Sequence, residues 1–180
     1  RVLFRSINGS ITKIVAGSSY IYLAGDFTSI NGNAASRFAV IDYSGTFIAT
    51  HSFNAPINDM SLSSSGGNLY IGGEFTIVDG VASGQLIKMR SNNVIERDLG
   101  VFSGGNGIDP AGINDIEVDA GTGDIYVGGN FTSINGTSPA LYITKFLSDD
   151  SPAGSFSSPG FDNQVNAIEY NSDSQVLYVG

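Results

Sequence analysis

Short runs of alternating apolar and polar residues, separated by Gly, Asp, Asn and Ser, recur along the whole chain. The run Ile113–Val118 alternates as a half-buried β-strand does, and a Gly/Asp turn at 119–124 separates it from a second apolar run at 125–131. No window of helical length carries a convincing 3.6-residue apolar stripe, and the many Gly, Ser, Asn and β-branched residues disfavour helices. The pattern therefore predicts an all-β chain of short strands and tight turns.

Two linked motifs repeat along this pattern. The stronger motif begins at residues 21, 69, 125 and 177, so its copies are 48, 56 and 52 residues apart. A weaker motif precedes each copy, with starts 46, 56 and 52 residues apart: Ile11-Thr-Lys-Ile14, Ile57-Asn-Asp-Met60, Ile113-Asn-Asp-Ile116 and Val165-Asn-Ala-Ile168. The chain is therefore predicted to contain repeat units at about 11–56, 57–112, 113–164 and 165–180.

Each complete unit is predicted to form four strands. The predicted strands lie at 11–16, 19–27, 37–42 and 47–53; at 57–62, 68–75, 85–90 and 94–99; and at 113–118, 125–131, 140–146 and 154–156. A four-stranded unit of about 50 residues is typical of a β-propeller blade of kelch length. The predicted fold is an all-β propeller fragment with about three four-stranded antiparallel blades and part of a fourth, too few for the fragment alone to close.

The second predicted strand of each unit carries small residues followed by a phenylalanine. Glycines are expected where backbones approach closely and a side chain would clash, and the phenylalanines are expected to pack between neighbouring blades. The residues of this structural motif are Gly25, Phe27, Gly72, Gly73, Phe75, Gly128, Gly129 and Phe131.

Composition excludes several classes of function. Eight Lys and Arg against 17 Asp and Glu give a net charge of −9, which argues against nucleic acid and anionic membrane as partners. The chain has no Cys, so it offers no disulfide, no thiolate metal site and no cysteine nucleophile. No apolar run approaches the roughly 18 residues that a membrane-spanning helix needs, so membrane insertion is not expected.

The two ends of the sequence predict an internal fragment of a longer chain. Residues 1–6 are what a common sequencing adapter gives when it is translated in frame, and we exclude them from the fold. The last copy of the stronger motif stops at Gly180. The partial propeller is therefore expected to occupy 7–180.

The catalytic candidates are few. His51 is the only histidine and has no Gly-x-Ser-x-Gly partner, so it is expected to be a surface or strand-edge residue. Asp26, Glu74 and Asn130 share one repeat position, where a propeller glycosidase could place a pair of carboxylates. The exchange of Asp, Glu and Asn at that position fits hydrogen bonding of a strand end better than acid–base work, so no catalytic residue is predicted.

Metal, cofactor and glycan sites have similarly limited support. Asp119 and Asp124, and the pair Asp149 and Asp150, bring oxygen ligands together as calcium requires, but turn chemistry explains them without an ion. Gly104–Gly107 leads into a loop, so no phosphate site and no cofactor are predicted. Sequons begin at Asn8, Asn130 and Asn135; they would be glycan sites in a eukaryotic secreted protein and plain turn residues in a bacterium, and Asn130 is the poorer acceptor because it lies in a predicted strand.

The repeat as a whole resembles a known family. Gly-Gly-X-Phe-Thr-Ser-Ile-Asn-Gly, a following strand that ends near Asp42 or Phe146, and then a Phe-Asn or Gly-Phe-Asp segment resemble the bacterial delta-60 repeat over residues 11–180. The pattern is also similar to the kelch-like propellers of fungal cortical polarity-marker proteins. The second unit departs from it with Ile77-Val-Asp-Gly80, and the first unit lacks one glycine of the pair. The resemblance implies large secreted or cell-surface proteins built of β-propellers, and it implies no catalytic residue.

These observations lead to a functional expectation. We expect a non-catalytic binding or structural module of a secreted or cell-surface protein, which uses the loops after Thr28, Thr76 and Thr132 and the insertion 103–111 as contact surface. A glycan or a protein would suit that surface as ligand. The alternatives are a carbohydrate-active hydrolase or lyase whose site is completed by missing blades, and an architectural spacer without any ligand.

Overall fold

The computed structural model describes residues 6–136, 141–154, 156 and 160–180. Within these residues the chain forms nineteen β-strands and no helix. The pairings between the strands are antiparallel. The prediction of an all-β chain is confirmed.

The strands in chain order are β1 (Ser10–Ala16), β2 (Tyr20–Asp26), β3 (Ser29–Ile30), β4 (Asn33–Ala34), β5 (Phe38–Asp42), β6 (Phe47–Ala49), β7 (Ile57–Leu62), β8 (Asn68–Gly73), β9 (Ile77–Val78), β10 (Val81–Ala82), β11 (Leu86–Arg90), β12 (Ile95–Gly100), β13 (Phe102–Ser103), β14 (Gly112–Val118), β15 (Ile125–Asn130), β16 (Ser133–Ile134), β17 (Ile143–Phe146), β18 (Ile168–Asn171) and β19 (Val176–Val179).

The larger sheets follow the repeat units. The first unit is a four-stranded sheet in the order β1-β2-β5-β6, and the second is a four-stranded sheet in the order β7-β8-β11-β12. The third unit contributes β14-β15-β17, and the described part of the fourth contributes the hairpin β18-β19. The same antiparallel order thus recurs, with short strands inserted between the second and third strands of each of the first three sheets.

The outer strands differ from their predicted bounds. β6 ends at Ala49, not at residue 53, because Phe53 leaves the sheet and forms a bridge with Val78 of the second unit. In the third unit, Gly154 and Phe156 do not form the predicted outer strand, and residue 155 lies outside the described residues. An isolated bridge between Phe146 and Pro152 takes that place in the sheet. The predicted third strand of this unit begins at residue 140, which also lies outside the described residues, whereas β17 begins at Ile143.

A tight turn follows the phenylalanine of each repeat motif. The turn residues are Asn31-Gly32, Asp79-Gly80 and Asn135-Gly136, and both residues of each pair have positive φ, between 50° and 80°. Consecutive positive φ values define the type I′ hairpin turn, which Asn-Gly and Asp-Gly favour. The turn closes the small hairpins β3-β4 and β9-β10.

The sheets stack through their first strands. β1 contacts β7, β7 contacts β14, and β14 contacts β18. Apolar residues from neighbouring sheets fill the space between them: one cluster joins Tyr22 and Phe38 of the first unit to Met60 and Leu69 of the second. The core is therefore divided into layers: three are shared by two successive units, and a fourth lies within the first unit.

The glycine pair in the second strand lies where the sheets approach most closely. A Cβ at Gly72 would lie 2.6 Å from Ile113 Cγ2 of the next unit, and a Cβ at Gly128 would lie 2.6 Å from Val165 Cγ1. A Cβ at Gly73 or Gly129 would overlap a backbone carbonyl next to the first strand of its own sheet. The first glycine thus leaves room for side chains of the next unit, and the second leaves room for the first strand of its own sheet.

Candidate functional site

The first strand of each of the first three units contains a β-bulge at one repeat position. The register shifts between Ile11 and Lys13, between Ile57 and Asp59, and between Ile113 and Asp115. A bulge turns the extra residue out of the ladder and bends the strand. The residues at the bulge are Thr12, Asn58 and Asn114.

In the second and third units, the Asn-Asp pair at this bulge holds the following unit. Asn58 Nδ2 donates to the Ile113 carbonyl at 2.8 Å, and Asn114 Nδ2 donates to the Val165 carbonyl at 2.9 Å. The carboxylates act in parallel: Asp59 Oδ2 accepts from Ile116 N at 2.9 Å, and Asp115 Oδ2 accepts from Ile168 N at 2.6 Å. Each pair therefore both donates hydrogen bonds to the next unit and accepts one from it.

The junction between the first and second units lacks this arrangement, because the first unit has Thr12-Lys13 in place of Asn-Asp. Thr12 Oγ1 donates to the Ala24 carbonyl of its own sheet at 3.3 Å, whereas Lys13 forms an ion pair with Asp59. Thr12 therefore does not make with the Ile57 carbonyl the hydrogen bond that Asn58 makes with the Ile113 carbonyl. The two sheets leave a cleft of about 440 Å³ here, which we call the unit 1–2 cleft. It is lined by Thr12, Gly25, Asp26, Arg37, Pro56, Ile57 and Asn58.

The mouth of the unit 1–2 cleft carries one charge of each sign. The side chain of Asp26 is 85% exposed and that of Arg37 is 31% exposed, with Arg37 Nη2 3.9 Å from Asp26 Oδ1. Arg37 Nη1 donates to the Phe53 carbonyl at 3.2 Å, which holds the guanidinium over the connection between the units. The cleft therefore offers a hydrogen-bond acceptor and a donor side by side, both accessible to solvent.

The position of Asp26 has a different environment in each unit. Asn130, its equivalent in the third unit, is 2% exposed, and its side chain bonds to Asn106 N and to the carbonyls of Asp109 and Pro110. Asn130 thereby fastens the insertion 103–111 over the third sheet. Among the described residues, no hydrogen bond or ion pair joins the side chains of Asp26, Glu74 and Asn130 to one another, so they do not form a carboxylate dyad.

Carboxylates also gather where the first strands of the units meet. Burial raises the pKa of Glu117 to about 7, and the negative charges of Glu169, Asp115 and Asp59 reinforce the shift. Burial also raises the pKa of Asp59 to about 6, although Lys13 and the Ile116 amide favour its charged form. Glu117 and Asp59 are therefore harder to ionise than exposed carboxyl groups.

His51 is largely buried, with 16% of its side chain exposed, and so is less accessible than a surface residue. Its Nδ1 lies 2.6 Å from Asp79 Oδ2, and its Nε2 lies 2.9 Å from the Asn93 carbonyl. Both ring nitrogens are thus engaged by the second unit. His51 anchors the connection between the first and second units and has no free nitrogen for acid–base chemistry.

The calcium candidates are engaged by protein donors. Asp119 accepts from Gly121 N and Thr122 Oγ1, and Asp124 accepts from Ser148 N at 3.1 Å and pairs with Lys145 at 2.7 Å.

Asp149 accepts from the amide and hydroxyl of Ser151, whereas Asp150 pairs with Lys88 at 2.8 Å and accepts from Tyr70 OH at 3.2 Å. In the part of the chain that the structure describes, no three His, Cys, Asp or Glu side chains come together as metal ligands would.

Two sequon asparagines also have structural bonds. Asn8 accepts from the amides of Thr28 and Ser29, and Asn135 accepts from Val101 N at 2.9 Å. Asn135 is exposed, whereas Asn130 is buried. Residue 137, the third position of the Asn135 sequon, lies outside the described residues.

Neither models of known protein families nor the curated proteins gave any match to this chain. The described residues contain no helix with the length and apolar character needed to cross a bilayer.

The sequence did not predict the hydrogen bonds that the Asn-Asp pairs make to the following unit, nor the unit 1–2 cleft. The signal for both was the weaker motif, whose two middle residues change from Asn-Asp to Thr-Lys in the first unit. Alternation alone assigns those residues only to a strand, because the bulge that turns them toward the next unit is not visible in a period-two pattern.

Proposed function

We propose that the repeat units are blades of a β-propeller and that the chain is a non-catalytic binding module. The observation that carries this proposal is the unit 1–2 cleft, a concave site with an accessible carboxylate and guanidinium at its mouth. The stacking of successive first strands supports the propeller arrangement, because propeller blades meet through their innermost strands. The resemblance to the delta-60 repeat supports the same view.

We further propose that the protein acts outside the cell or on its surface. The acidic net charge of −9, the low Lys content and the family resemblance support this location. Protease added to intact source cells should degrade the protein if it is displayed. Protection in intact cells, with degradation only after lysis, would contradict the proposed location.

The binding role is tested with the purified chain on a glycan array and in affinity capture from the surroundings of the source cells. We expect saturable binding without turnover of the ligand. Turnover of a polysaccharide that is lost in the double variant Asp26→Ala and Glu74→Ala would refute the non-catalytic role. Absence of any ligand, with the fold intact, would favour an architectural spacer.

A further inference from the structure

We infer that the unit 1–2 cleft binds a neutral carbohydrate unit through adjacent hydroxyl groups, with Asp26 accepting from one hydroxyl and Arg37 donating to its neighbour. The inference rests on the proposed binding function and names its site and its class of ligand. The cleft volume of about 440 Å³ lies within the range of about 300–1,000 Å³ that is usual for small-molecule sites. A mono- or disaccharide would fit.

The charges at the mouth select against ionic ligands. Arg37 Nη2 and Asp26 Oδ1 are 3.9 Å apart. An anion that approached the guanidinium would therefore be repelled by the carboxylate, and a cation that approached the carboxylate would be repelled by the guanidinium. A neutral hydroxyl avoids both repulsions, because it can donate to the carboxylate and accept from the guanidinium. Adjacent hydroxyls on a sugar ring present this combination within a few ångströms.

The interior of the cleft adds both polar and apolar contacts. Asn58 uses its amide nitrogen for Ile113. Its amide oxygen, which has no hydrogen-bond partner among the described residues, remains available to a ligand hydroxyl. Pro56, which is exposed, lines the cleft with apolar surface, against which the C–H face of a sugar ring can pack. The mixture of a few directional polar groups with an apolar wall is typical of a ligand site.

Thr12 is the residue that keeps the cleft open. An asparagine at this position would be the equivalent of Asn58 and Asn114, whose amides reach across to the next unit at 2.8 and 2.9 Å. Thr12→Asn is therefore expected to bond to the Ile57 carbonyl and to fill the cleft. This variant distinguishes ligand binding from packing of the units, because it should preserve or improve the packing while it removes the ligand site.

The test measures binding of neutral disaccharides of glucose, galactose and mannose, together with glucuronate, by ligand-observed NMR and calorimetry on the whole chain. We expect at least one neutral disaccharide to bind and glucuronate not to bind. Asp26→Asn should raise the dissociation constant about tenfold, because a neutral amide oxygen replaces the charged acceptor. Thr12→Asn should abolish binding without a fall in thermal stability.

Glu74→Gln is the matched control, because Glu74 occupies the position of Asp26 at the next junction, and it should bind like the unmodified chain. Equal losses in Asp26→Asn and Glu74→Gln would overturn the assignment of the cleft, and so would unchanged binding in both Asp26→Asn and Thr12→Asn. If Thr12→Asn fails to fold, the comparison of Asp26→Asn with Glu74→Gln decides alone.

Failure of this inference can be told apart from failure of the proposed function. If no neutral saccharide binds but a protein is captured, the carbohydrate inference is wrong and the binding function stands. If a saccharide binds at the cleft and is also cleaved, the cleft assignment stands and the non-catalytic role is wrong.

Discussion

Replacement of Gly72 by alanine should destabilise the protein through the contact between the second and third units. The added methyl would lie 2.6 Å from Ile113 Cγ2 and 2.8 Å from Ile116 Cδ1. Carbon atoms prefer about 3.5–4.0 Å, so the sheets must separate or the isoleucines must move by about 1 Å. Both isoleucines are buried, at 0% and 2% exposed, and overpacking of such sites costs about 1–3 kcal/mol.

Urea denaturation of Gly72→Ala measures this cost. With a denaturant dependence of about 1–3 kcal/mol per molar, a loss of about 2 kcal/mol should lower the midpoint by about 1 M. The control is Gly67→Ala in the same unit, where the nearest atom to the new Cβ is Ser65 Oγ at 3.5 Å and little change is expected.

The reverse change at the matching position of the first unit, Ala24→Gly, should also destabilise the protein, by about 1 kcal/mol, because it removes a buried methyl and makes the strand more flexible.

A result in the opposite direction would refute the reasoning. Alanine restricts the unfolded chain more than glycine does, which alone would stabilise the protein by about 0.4–1 kcal/mol. If Gly72→Ala is as stable as the unmodified protein or more so, the units do not approach as closely as described. Coupling to Ile116→Val, which removes the Cδ1 methyl, should in turn reduce the cost of Gly72→Ala.

Three further outcomes are expected. Burial and neighbouring carboxylates raise the pKa of Glu117 from 4.5 to about 7. Folding therefore takes up a proton between these pH values, so the free energy of unfolding should fall as the pH rises from about 4.5 to 7. Urea melts of Glu117→Gln should show a weaker fall, and an unchanged dependence of stability on pH would contradict this assignment. Asp150→Asn removes the carboxylate from Lys88, whose side chain is 11% exposed, so it should cost roughly 3 kcal/mol in thermal unfolding, whereas a change below about 1 kcal/mol would show that the pair contributes little. Asn130→Ala should free the insertion 103–111, seen as faster hydrogen exchange at its amides, and unchanged protection would show that other contacts hold it.

The parts of the fold that could be predicted are those with local causes. The first two strands of each unit follow from alternation, from Gly/Asp turns such as 119–124 and from the glycine pairs, all of which lie within a few residues of one another. The all-β class and the positions of the repeat units followed from the same signals. The end of β6 could not be predicted, because Phe53 leaves its sheet for a partner, Val78, in the next unit.

The candidate site depended on contacts that sequence patterns do not reveal. Asp59 and Ile116 are 57 residues apart, and Lys88 and Asp150 are 62 residues apart, so neither pair leaves a periodic trace. The partners of the four candidate calcium ligands could be assigned only from the structure, since Asp124 pairs with Lys145 and Asp150 pairs with Lys88. The unit 1–2 cleft arises from a change of Asn to Thr at one bulge, which has meaning only when the facing strand is known.

The hydrogen bonds that the second and third units each make to the following unit limit how this chain could have grown by tandem duplication. A copied second or third unit brings its own Asn-Asp and could be inserted beside its parent with matched bonds on both sides. If the first unit were copied, Lys13 would face the Lys13 of the copy instead of Asp59, which would place two like charges in contact. The interior units can therefore serve as templates for new repeats, whereas the first unit cannot do so without a compensating mutation.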